Sequence, residues 1–529
     1  MKIKVLISDS LSDEGLKLFQ ENDIYEVDDK SGISHEDLKS IIKDYDALVI
    51  RSGTNVTEDI IKEAKNLKII GRAGVGIDNV DVKAASMKGI VVMNTPGGNT
   101  ISAAEHTVSM LLSLSRNIPQ AHASLKKKEW KRSKFTGTEV YGKTLGVIGF
   151  GKIGYEVAKR AKSFEMDILV YDPFATQEHT DKLGAKLVDL EYLIANSDYI
   201  TLHVPRNKDT ENLINKTSIA KMKTGVRIIN VARGGIINEQ DLADAINSGK
   251  VRGAAIDVFD KEPSLDSPLF DVDNVVVTPH LGASTEEAQI NVAIDIVKQI
   301  RDFFEKEEIK NAVNMSSLPS DVLRKVKPFI LLAEKIGIIQ SVLLQDKGGI
   351  KEVEVRYAGD ISETTVSPIT TAFLKGLLQN VEENVNFVNA AFLAKQREIK
   401  IKEIKVNKLD DIVNLITVKI KTTTEQLEVS GTVFYEDNIR IIKINDYNVD
   451  LSPFGNILFS VNFDIPGVVG KLGTKLAEAG INIANMQVSR DPKTKKALML
   501  TTIEQAISVD VIETIKNMKE IEQVKLIIL

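Results

Sequence analysis

Residues 144–173, TLGVIGFGKIGYEVAKRAKSFEMDILVYDP, predict a strand, a glycine turn, a helix and a second strand that ends in an acidic residue. Gly149, Gly151 and Gly154 form the pattern G-x-G-x-x-G directly after an apolar run. The first glycine permits a tight turn, the second lets the backbone approach a pyrophosphate, and the third lets the helix pack against the strand. The stretch therefore predicts a doubly wound α/β sheet that binds a dinucleotide.

Asp172 closes the second predicted strand, eighteen residues after Gly154. A carboxylate at this position accepts hydrogen bonds from the adenosine ribose hydroxyls and repels a 2′-phosphate. The predicted cofactor is therefore NAD rather than NADP. A glycine triplet alone is a weak signal, and the flanking strand, helix and acid favour a cofactor site over a structural turn.

The composition is that of a globular chain with about three or four domains, each with its own core. The chain has 529 residues and a net charge of −6, which argues against broad affinity for nucleic acids or acidic membranes. Without cysteine, disulfides, thiolate catalysis and cysteine-ligated metal sites are excluded, and we predict no metal site. Neither a targeting segment nor a membrane span is predicted, so we expect a cytoplasmic protein.

Residues 1–98 alternate short apolar runs with amphipathic runs. This alternation predicts a mostly parallel sheet covered by helices on both faces. No glycine triplet follows the first strand of this unit. The glycine-rich run GRAGVGIDN, residues 71–79, follows a late strand instead, and we expect its backbone to line a ligand cleft.

Two long helices are predicted to connect this first unit with the dinucleotide-binding unit. Asn99 is predicted to cap the first of them. Residues 99–284 then contain six apolar strand patterns, which suits a sheet of six or seven strands. A capping-box pattern, Ser284 followed by Glu287, opens the second long helix, and residues 285–312 are expected to cross back to the first unit.

The sequence pattern changes in the C-terminal part of the chain. Residues 316–451 are predicted to contain helices and a β-rich run, and they carry no catalytic motif. Residues 452–529 have the order strand, helix, strand, strand, helix, strand. That order predicts a ferredoxin-like unit.

Three residues downstream of the glycine turn follow apolar strands and suit a catalytic site. Arg233 can hold a carboxylate through two parallel hydrogen bonds. His280 can take the proton of a hydroxyl group while hydride leaves the same carbon, and Glu262 can bond the other ring nitrogen and stabilise the imidazolium. Since strand ends in such a sheet border the nicotinamide, we predict hydride transfer with a 2-hydroxy or 2-oxo acid as substrate.

Each of these residues also has a structural interpretation, as a surface ion pair, a loop acid or a satisfied hydrogen-bonding side chain. Their joint position beside the predicted nicotinamide site favours the chemical one. Of the other histidines, His106 is assigned a packing role on the first long helix. His203 ends a strand and is a candidate for the lining of the cofactor cleft.

A basic run, KKKEWKRSKF at residues 126–135, contains the only tryptophan. A solvated loop is the default interpretation, and the net negative charge argues against a nucleic-acid site. The alternative is that Lys131, Arg132 or Lys134 reaches a phosphate on the substrate across a subunit interface.

Several motifs make the chain resemble the D-2-hydroxyacid dehydrogenase family over essentially its whole length, namely RSGTNV, GRAGVGIDNVD, NTPGGNT, GKTLGVIGFGKIG, NVARGGIINE, GAAIDVF and VVVTPHLGAST. The resemblance is to the long form of the family and implies four domains. These are a flavodoxin-like substrate domain (1–98, with 285–312 returning), a Rossmann NAD-binding domain (99–284), an α+β intervening domain (316–451) and a ferredoxin-like ACT regulatory domain (452–529).

The resemblance also implies which residues contact each ligand. Together with the glycine triplet, it implies NAD contacts at Gly149, Gly151, Lys152, Ile153, Gly154, Asp172, Val75, Val204, Ala232, Arg233, Asp257, His280 and Ala283. Asp257 would face the nicotinamide carboxamide. Substrate contacts are expected at Arg51, Arg72, Gly74, Asn99 and, from the basic run, Arg132. In the ACT-like tail, Asp464 and Asn482 would bind L-serine as an effector.

The reaction implied by the resemblance is NAD-dependent oxidation of 3-phospho-D-glycerate to 3-phosphohydroxypyruvate, the first step of phosphorylated serine biosynthesis. A homotetramer under feedback regulation by L-serine is implied as well. Two alternatives stay open. One is a dinucleotide-sensing co-repressor, a class that shares the three catalytic residues but lacks an ACT-like tail, and the other is a dehydrogenase of glycerate, glyoxylate or lactate. Two departures from relatives are Val75, where several have a hydroxyl residue, and Asn462, where some serine-binding members have an aromatic residue.

Overall fold

The computed structural model describes residues 2–315, 320–382, 384–406, 414–435, 437–491, 493–505 and 507–529, with the side chains of 320 and 321 left out. Four sheets follow one another along the chain. Within the residues described, no helix has the length and apolar character needed to cross a bilayer.

The first sheet is parallel and has the strand order β2-β1-β3-β4-β5, which is the flavodoxin-like order. Its strands carry buried Val, Ile and Leu residues because helices cover both faces. The strands are β1 (Ile3–Ile7), β2 (Tyr25–Asp29), β3 (Ala47–Ile50), β4 (Ile69–Arg72) and β5 (Val91–Met93). The helices are α1 (Asp13–Gln20), α2 (His35–Ile41), α3 (Glu58–Glu63) and α4 (Val82–Met87).

Two helices, α5 (Thr100–Arg116) and α6 (Ile118–Lys126), lead into the second sheet. Its strands are β6 (Thr144–Ile148), β7 (Asp167–Tyr171), β8 (Lys186–Leu187), β9 (Tyr199–Leu202), β10 (Val226–Asn230), β11 (Val251–Ile256) and β12 (Val275–Val277). The intervening helices are α7 (Lys152–Ser163), α8 (Gln177–Asp181), α9 (Leu190–Asn196), α10 (Lys216–Lys221) and α11 (Glu239–Asn247). All strand pairs are parallel in the order β12-β11-β10-β9-β6-β7-β8, which is a doubly wound sheet with its switch point at β6 and β9.

Helix α12 (Glu286–Lys306) returns to the first sheet. A Cβ atom on Gly15 would lie 2.9 Å from the Cβ of Ala293, and one on Gly98 would lie 2.5 Å from Cγ1 of Val292. Because α12 approaches the first unit so closely, a side chain at Gly15 or Gly98 would collide with it, and both positions require glycine. Helix α12 therefore packs closely against the first unit, and the bounds 285–312 of the returning segment stay a prediction.

One predicted helix cap is wrong, and the other is right in position but not in its side-chain bond. Thr285, not Ser284, caps α12, since its hydroxyl accepts from the Ala288 N–H while the Ser284 N–H belongs to the preceding turn and bonds Leu281 O. Asn99 is the N-cap residue of α5, as predicted, but its side chain makes no capping bond, and its buried Oδ1 has no hydrogen-bond partner among the described residues.

The third sheet is mixed, in the order β14-β13-β15-β16-β17-β18. Its strands are β13 (Ile350–Gly359), β14 (Lys400–Val406), β15 (Asn414–Thr422), β16 (Gln426–Phe434), β17 (Asn438–Ile444) and β18 (Tyr447–Leu451). Its helices are α13 (Ser320–Leu343), α14 (Ser367–Leu378) and α15 (Ala390–Gln396). The core of this unit lies between the helices and the sheet.

The fourth sheet is antiparallel, in the order β20-β21-β19-β22. It consists of β19 (Asn456–Phe463), β20 (Ile483–Asp491), β21 (Lys496–Ile503) and β22 (Ile521–Ile528), with α16 (Val468–Glu478) and α17 (Val509–Lys516) on one face. The predicted α/β fold class, with its ferredoxin-like tail, is confirmed. The residue boundaries between the units stay predictions.

Replacing Gly337 or Gly376 by alanine should destabilise the third unit, because α13 and α14 cross with their backbones in contact at these glycines. A Cβ atom at Gly337 would lie 2.2 Å from Phe373 O, and one at Gly376 would lie 2.1 Å from Glu334 O. We expect a loss of about 1–3 kcal/mol in the free energy of unfolding, measured by urea denaturation. The control is Gly473→Ala in α16, where nothing lies within 4 Å of the added atom. An unchanged urea midpoint for Gly337→Ala would contradict this packing.

Candidate active site

A cavity of about 700 Å³ lies between the first two sheets. The N-terminal unit contributes the polar side chains of Arg51 and Arg72 and the backbone around Gly74 and Val75, and Asn99 lies at the start of α5. The second unit contributes Arg233, Glu262, His280 and Ala283. The cavity therefore combines the predicted catalytic residues with four of the five predicted substrate contacts.

The glycine turn after β6 has the geometry that a bound pyrophosphate requires. Gly149 has φ of +93°, which is the left-handed region, so the tight turn needs glycine. A Cβ atom on Gly154 would lie 2.1 Å from Gly149 O, so α7 packs directly on the turn. In contrast, nothing lies within 4 Å of a Cβ atom on Gly151, which leaves open space at the N-terminus of α7. These residues fit a dinucleotide phosphate.

The remaining predicted cofactor contacts surround this turn. The Asp172 carboxylate, at the end of β7, accepts from the N–H groups of Phe150 and Phe174, both at 2.7 Å. Val204 lies beside Gly149, with its Cγ1 2.8 Å from the position of a Cβ atom there. Lys152 and Ile153 are the first two residues of α7, and Ala232 is held by a 3.0 Å hydrogen bond from its N–H to Oδ1 of Asn230.

His280 and Glu262 form a close pair, as the sequence predicts. His280 Nδ1 lies 2.5 Å from Oε2 of Glu262, and Oε1 of Glu262 accepts from the Phe259 N–H at 2.9 Å. Burial would raise the pKa of Glu262, but the hydrogen bonds from His280 and Phe259 hold it below its ordinary value. Glu262 is therefore an anion oriented toward one ring nitrogen, and Nε2 of His280 is the nitrogen left for chemistry.

Asp257 is fully buried behind this pair, at the end of β11. Its Oδ1 accepts from the Leu281 N–H at 2.8 Å, and its Oδ2 accepts from the Gly282 N–H at 2.9 Å. Burial acts to raise the pKa of Asp257, yet hydrogen bonds from His106 and Thr278 and from the Leu281 N–H keep it lowered. The carboxylate thus fixes the turn that carries His280.

The structural role predicted for His106 includes two specific polar contacts that the sequence did not indicate. Its Nε2 lies 3.1 Å from Oδ1 of Asp257 and 3.1 Å from Oγ1 of Thr278. These partners lie more than 150 residues away along the chain, so no local pattern could identify them. The sequence feature that could have indicated these contacts is a spacing. His106 follows Ser102 by four residues, so the two side chains share the face of α5 that meets the second sheet.

The cavity carries a concentration of positive charge. Arg233 Nε lies 3.3 Å from Oδ2 of Asp78 on the first unit, and Arg72 Nε donates to Oδ1 of Asn79 at 3.0 Å. Burial, together with the charge of Arg233, lowers the pKa of Arg72 to about 10. An anionic ligand would relieve this repulsion, which fits a substrate with a carboxylate and a phosphate.

Arg132 does not belong to this cavity. It lies in a 3₁₀ turn, residues 132–135, and is exposed. Within one chain it does not join the other predicted substrate contacts. Its role as a substrate contact from another subunit stays a prediction.

The two predicted effector residues lie at opposite ends of the fourth sheet. Phe463, next to Asp464, pairs with Lys496, whereas Ile483, next to Asn482, pairs with Ile503 at the other end of β21. Seven strand steps separate the two ends by roughly 23 Å. Asp464 and Asn482 of one chain therefore cannot hold the same amino acid.

Among the described residues, no group of three or more His, Cys, Asp or Glu side chains could hold a metal ion.

Three family models match successive parts of the chain. Residues 108–282 match the NAD-binding domain of D-isomer specific 2-hydroxyacid dehydrogenases. Residues 325–445 match the intervening domain of D-3-phosphoglycerate dehydrogenase, and residues 456–524 match the ACT domain.

Full-length relatives share this arrangement. The D-3-phosphoglycerate dehydrogenase of Synechocystis is 45% identical over 95% of this chain and 90% of the relative. The enzyme of that name from Archaeoglobus fulgidus is 45% identical over 97% of both chains. The one from Bacillus subtilis is 41% identical over 99% of both.

The chain belongs to the D-3-phosphoglycerate dehydrogenase family. It is an NAD-dependent D-2-hydroxyacid dehydrogenase. The family predicted from the motifs and the NAD cofactor predicted from the glycine turn are both confirmed.

Solved structures resemble the first two units. An NAD-dependent formate dehydrogenase from Staphylococcus aureus in complex with NAD matches with a TM-score of 0.53 and 34% identity, over 59% of this chain and 98% of that one. A D-lactate dehydrogenase from Aquifex aeolicus, complexed with NAD and lactic acid, matches with a TM-score of 0.51 and 28% identity, over 57% and 96%. The shared part is the dehydrogenase portion.

His203, at the end of β9, should make the enzyme sensitive to acid. Burial lowers the pKa of His203 to about 3, and its Nε2 lies 2.9 Å from Oγ1 of Thr201. The unfolded chain takes up this proton near pH 6.5, so stability is complete above about pH 6.5 and falls toward pH 3, by up to about 1.4 kcal/mol per pH unit. We expect His203→Gln to flatten the fall in urea midpoint between about pH 6.5 and pH 5.

The control for this measurement is His122→Gln, which changes an exposed histidine in the same way. Equal pH slopes for the wild-type enzyme and His203→Gln would show that His203 is not the group responsible.

Proposed function

We propose that this chain catalyses the NAD-dependent oxidation of 3-phosphoglycerate to 3-phosphohydroxypyruvate, the first step of phosphorylated serine biosynthesis. The observation that carries the proposal is the pairing of His280 with Glu262 at 2.5 Å in a cavity that Arg233 also lines. Relatives of this length are named for that enzyme. The surplus of arginine in the cavity suits a doubly anionic substrate.

His280 acts as the base in this proposal. Its Nδ1 is engaged by Glu262, so Nε2 takes the proton of the substrate hydroxyl as hydride leaves the same carbon. NAD, when bound, accepts that hydride. The Glu262 carboxylate stabilises the imidazolium that forms, because the negative charge lies against the protonated ring. In the reverse direction Nε2 returns the proton to the carbonyl oxygen.

Arg233 holds the substrate carboxylate beside the reacting carbon through its planar guanidinium. Arg51 and Arg72, from the first unit, supply the charge for the phosphate. The Asn99 side chain also lines the cavity. The substrate therefore bridges both sides of the cleft, so that binding closes the first unit over NAD.

The C-terminal domains and the arginines of the cavity also bear on the two alternative functions. A dinucleotide-sensing co-repressor is disfavoured by the intervening and ACT domains, which match in sequence. A dehydrogenase of glycerate, glyoxylate or lactate would share the His–Glu pair and Arg233. Because its substrate has no phosphate, the further arginines would have no second anionic group to bind. Turnover of a substrate panel by the wild-type enzyme separates the three.

Glu262→Gln should reduce kcat by about 100-fold or more, since the amide keeps the shape of the side chain but not the charge that stabilises the imidazolium. His280→Ala should reduce kcat further, and the affinity for NAD should change little in both variants. The measurement is NADH formation from 3-phosphoglycerate, with glycerate and lactate as comparison substrates.

Glu58→Gln is the matched control, because Glu58 is exposed and, among the described residues, its ion pair is with Lys62 of the same helix. Full turnover by His280→Ala would eliminate the proposed base. Turnover of glycerate at the rate of 3-phosphoglycerate would argue against the phosphate as a recognition element.

We further propose that L-serine regulates the enzyme by binding between paired ACT domains in a cytoplasmic homotetramer. The support is the ACT match together with the separation of Asp464 and Asn482 at opposite ends of one sheet. A two-fold pairing can bring Asp464 of one copy to Asn482 of another. Asp464 of one copy and Asn482 of the other would then both contribute to one L-serine site.

Subunit mixing tests this arrangement. Asp464→Ala and Asn482→Ala should each abolish inhibition by L-serine while the uninhibited rate stays unchanged. When the two variants are unfolded and refolded together, some dimers combine both intact side chains at one interface, so inhibition should return in part. Inhibition that persists in either single variant, or that fails to return on mixing, would contradict a shared site.

A further inference from the structure

Helix α5 touches the catalytic turn at three successive positions on one face. Ser102 Oγ donates to Gly282 O at 2.9 Å, Nε2 of His106 lies 3.1 Å from Oδ1 of Asp257, and Met110 Sδ lies 3.8 Å from Oγ1 of Thr278. Residues four apart on a helix share a face, so one rigid element contacts the turn along its length. Of these three contacts, the one from His106 reaches a charged group.

The protonation of the His106 ring follows from its neighbours. A carboxylate oxygen can only accept, so the Nε2 atom of His106 must carry a proton to bond Asp257. The Thr278 hydroxyl donates to the same Oδ1 at 2.5 Å, which leaves the hydroxyl oxygen free to accept from Nε2–H as well. His106 thus donates to a carboxylate and a hydroxyl that are already bonded to each other.

The Asp257 carboxylate depends on such donors. Its side chain has no exposed surface, and a buried carboxylate without enough donors is costly. Two of its bonds come from the backbone of residues 281 and 282, immediately after His280. Rotation of the carboxylate would therefore disturb the turn that presents the catalytic histidine.

We propose that His106 is a positioning residue for hydride transfer, which fixes the Asp257 carboxylate and, through it, the turn that presents His280 to the nicotinamide. The proposal rests on the proposed function in one respect, since it takes His280 to be the base beside the nicotinamide. His106 itself touches neither the substrate nor the reacting atoms.

Two variants separate the donor from the bulk of the side chain. His106→Gln keeps an N–H donor at nearly the position of Nε2, whereas His106→Leu fills the space without a donor. We expect His106→Leu to reduce kcat by about 10-fold or more, the usual effect of losing one hydrogen bond to a charged group. The KM for 3-phosphoglycerate should stay unchanged, and His106→Gln should recover most of the rate.

Ligand binding tests the role without any turnover. NADH and ADP-ribose share the adenosine and pyrophosphate, but only NADH carries the nicotinamide. We expect His106→Leu to weaken the Kd of NADH by about 10-fold and to leave the Kd of ADP-ribose unchanged, with His106→Gln near the wild-type values. His122→Leu, on the exposed side of α6, is the control for the loss of a histidine.

The possible results are distinct. Equal weakening of NADH and ADP-ribose in His106→Leu would mean a purely structural role and overturn the proposal, as would no weakening of either. Equal defects in His106→Gln and His106→Leu would overturn the assignment of the donor. Failure of the proposed function would instead appear as a wild-type enzyme that does not oxidise 3-phosphoglycerate, which the binding measurement does not depend on.

Discussion

The packing of helix α12 against the first sheet determines where the active site forms. The chain leaves that sheet through α5, builds the second sheet and must return, and the return is possible only where three glycines leave room. Gly71 belongs to this set, because a Cβ atom on it would lie 2.8 Å from Cγ1 of Ile296. Close backbone approach makes the contact sensitive to any added atom. The cleft between the two sheets is therefore bordered by both connecting helices.

Two carboxylates in this cleft perform different tasks because their partners differ. Glu262 faces the His280 ring and has one backbone donor, so its charge acts on the catalytic group. Asp257 is surrounded by donors and is enclosed, so its charge acts on the backbone of the turn. His280 itself has φ of +54°, an unusual conformation for a residue other than glycine. The hydrogen bonds of Asp257 hold the neighbouring residues in place and so stabilise that conformation.

The third and fourth units pack against each other, and the third unit also contacts the first. One face of the fourth sheet, with Ile457, Phe459 and Leu500, belongs to the same hydrophobic core as helices α13 and α14. The other face packs against its own helices, so both faces are covered and polar ligands are left to the ends of the strands. A hydrogen bond of 2.8 Å from Nδ2 of Asn386 to Gly89 O connects the third unit to the first.

The sequence alone determined the features that arise from short stretches of chain. The glycine turn, Asp172 and the alternation of strands and helices depend on local geometry, and the structure agrees with them. Arg233, Glu262 and His280 line one cavity, because residues at the ends of parallel strands converge at one edge of a sheet. Their catalytic roles stay predictions. Tertiary structure alone decided the rest. The partner of His106 is a carboxylate 151 residues away, the Asn99 side chain lines a cavity instead of bonding to α5, and Asp464 lies far from Asn482. In each of these cases the partner is set by how whole elements pack, and local periodicity carries no information about that packing.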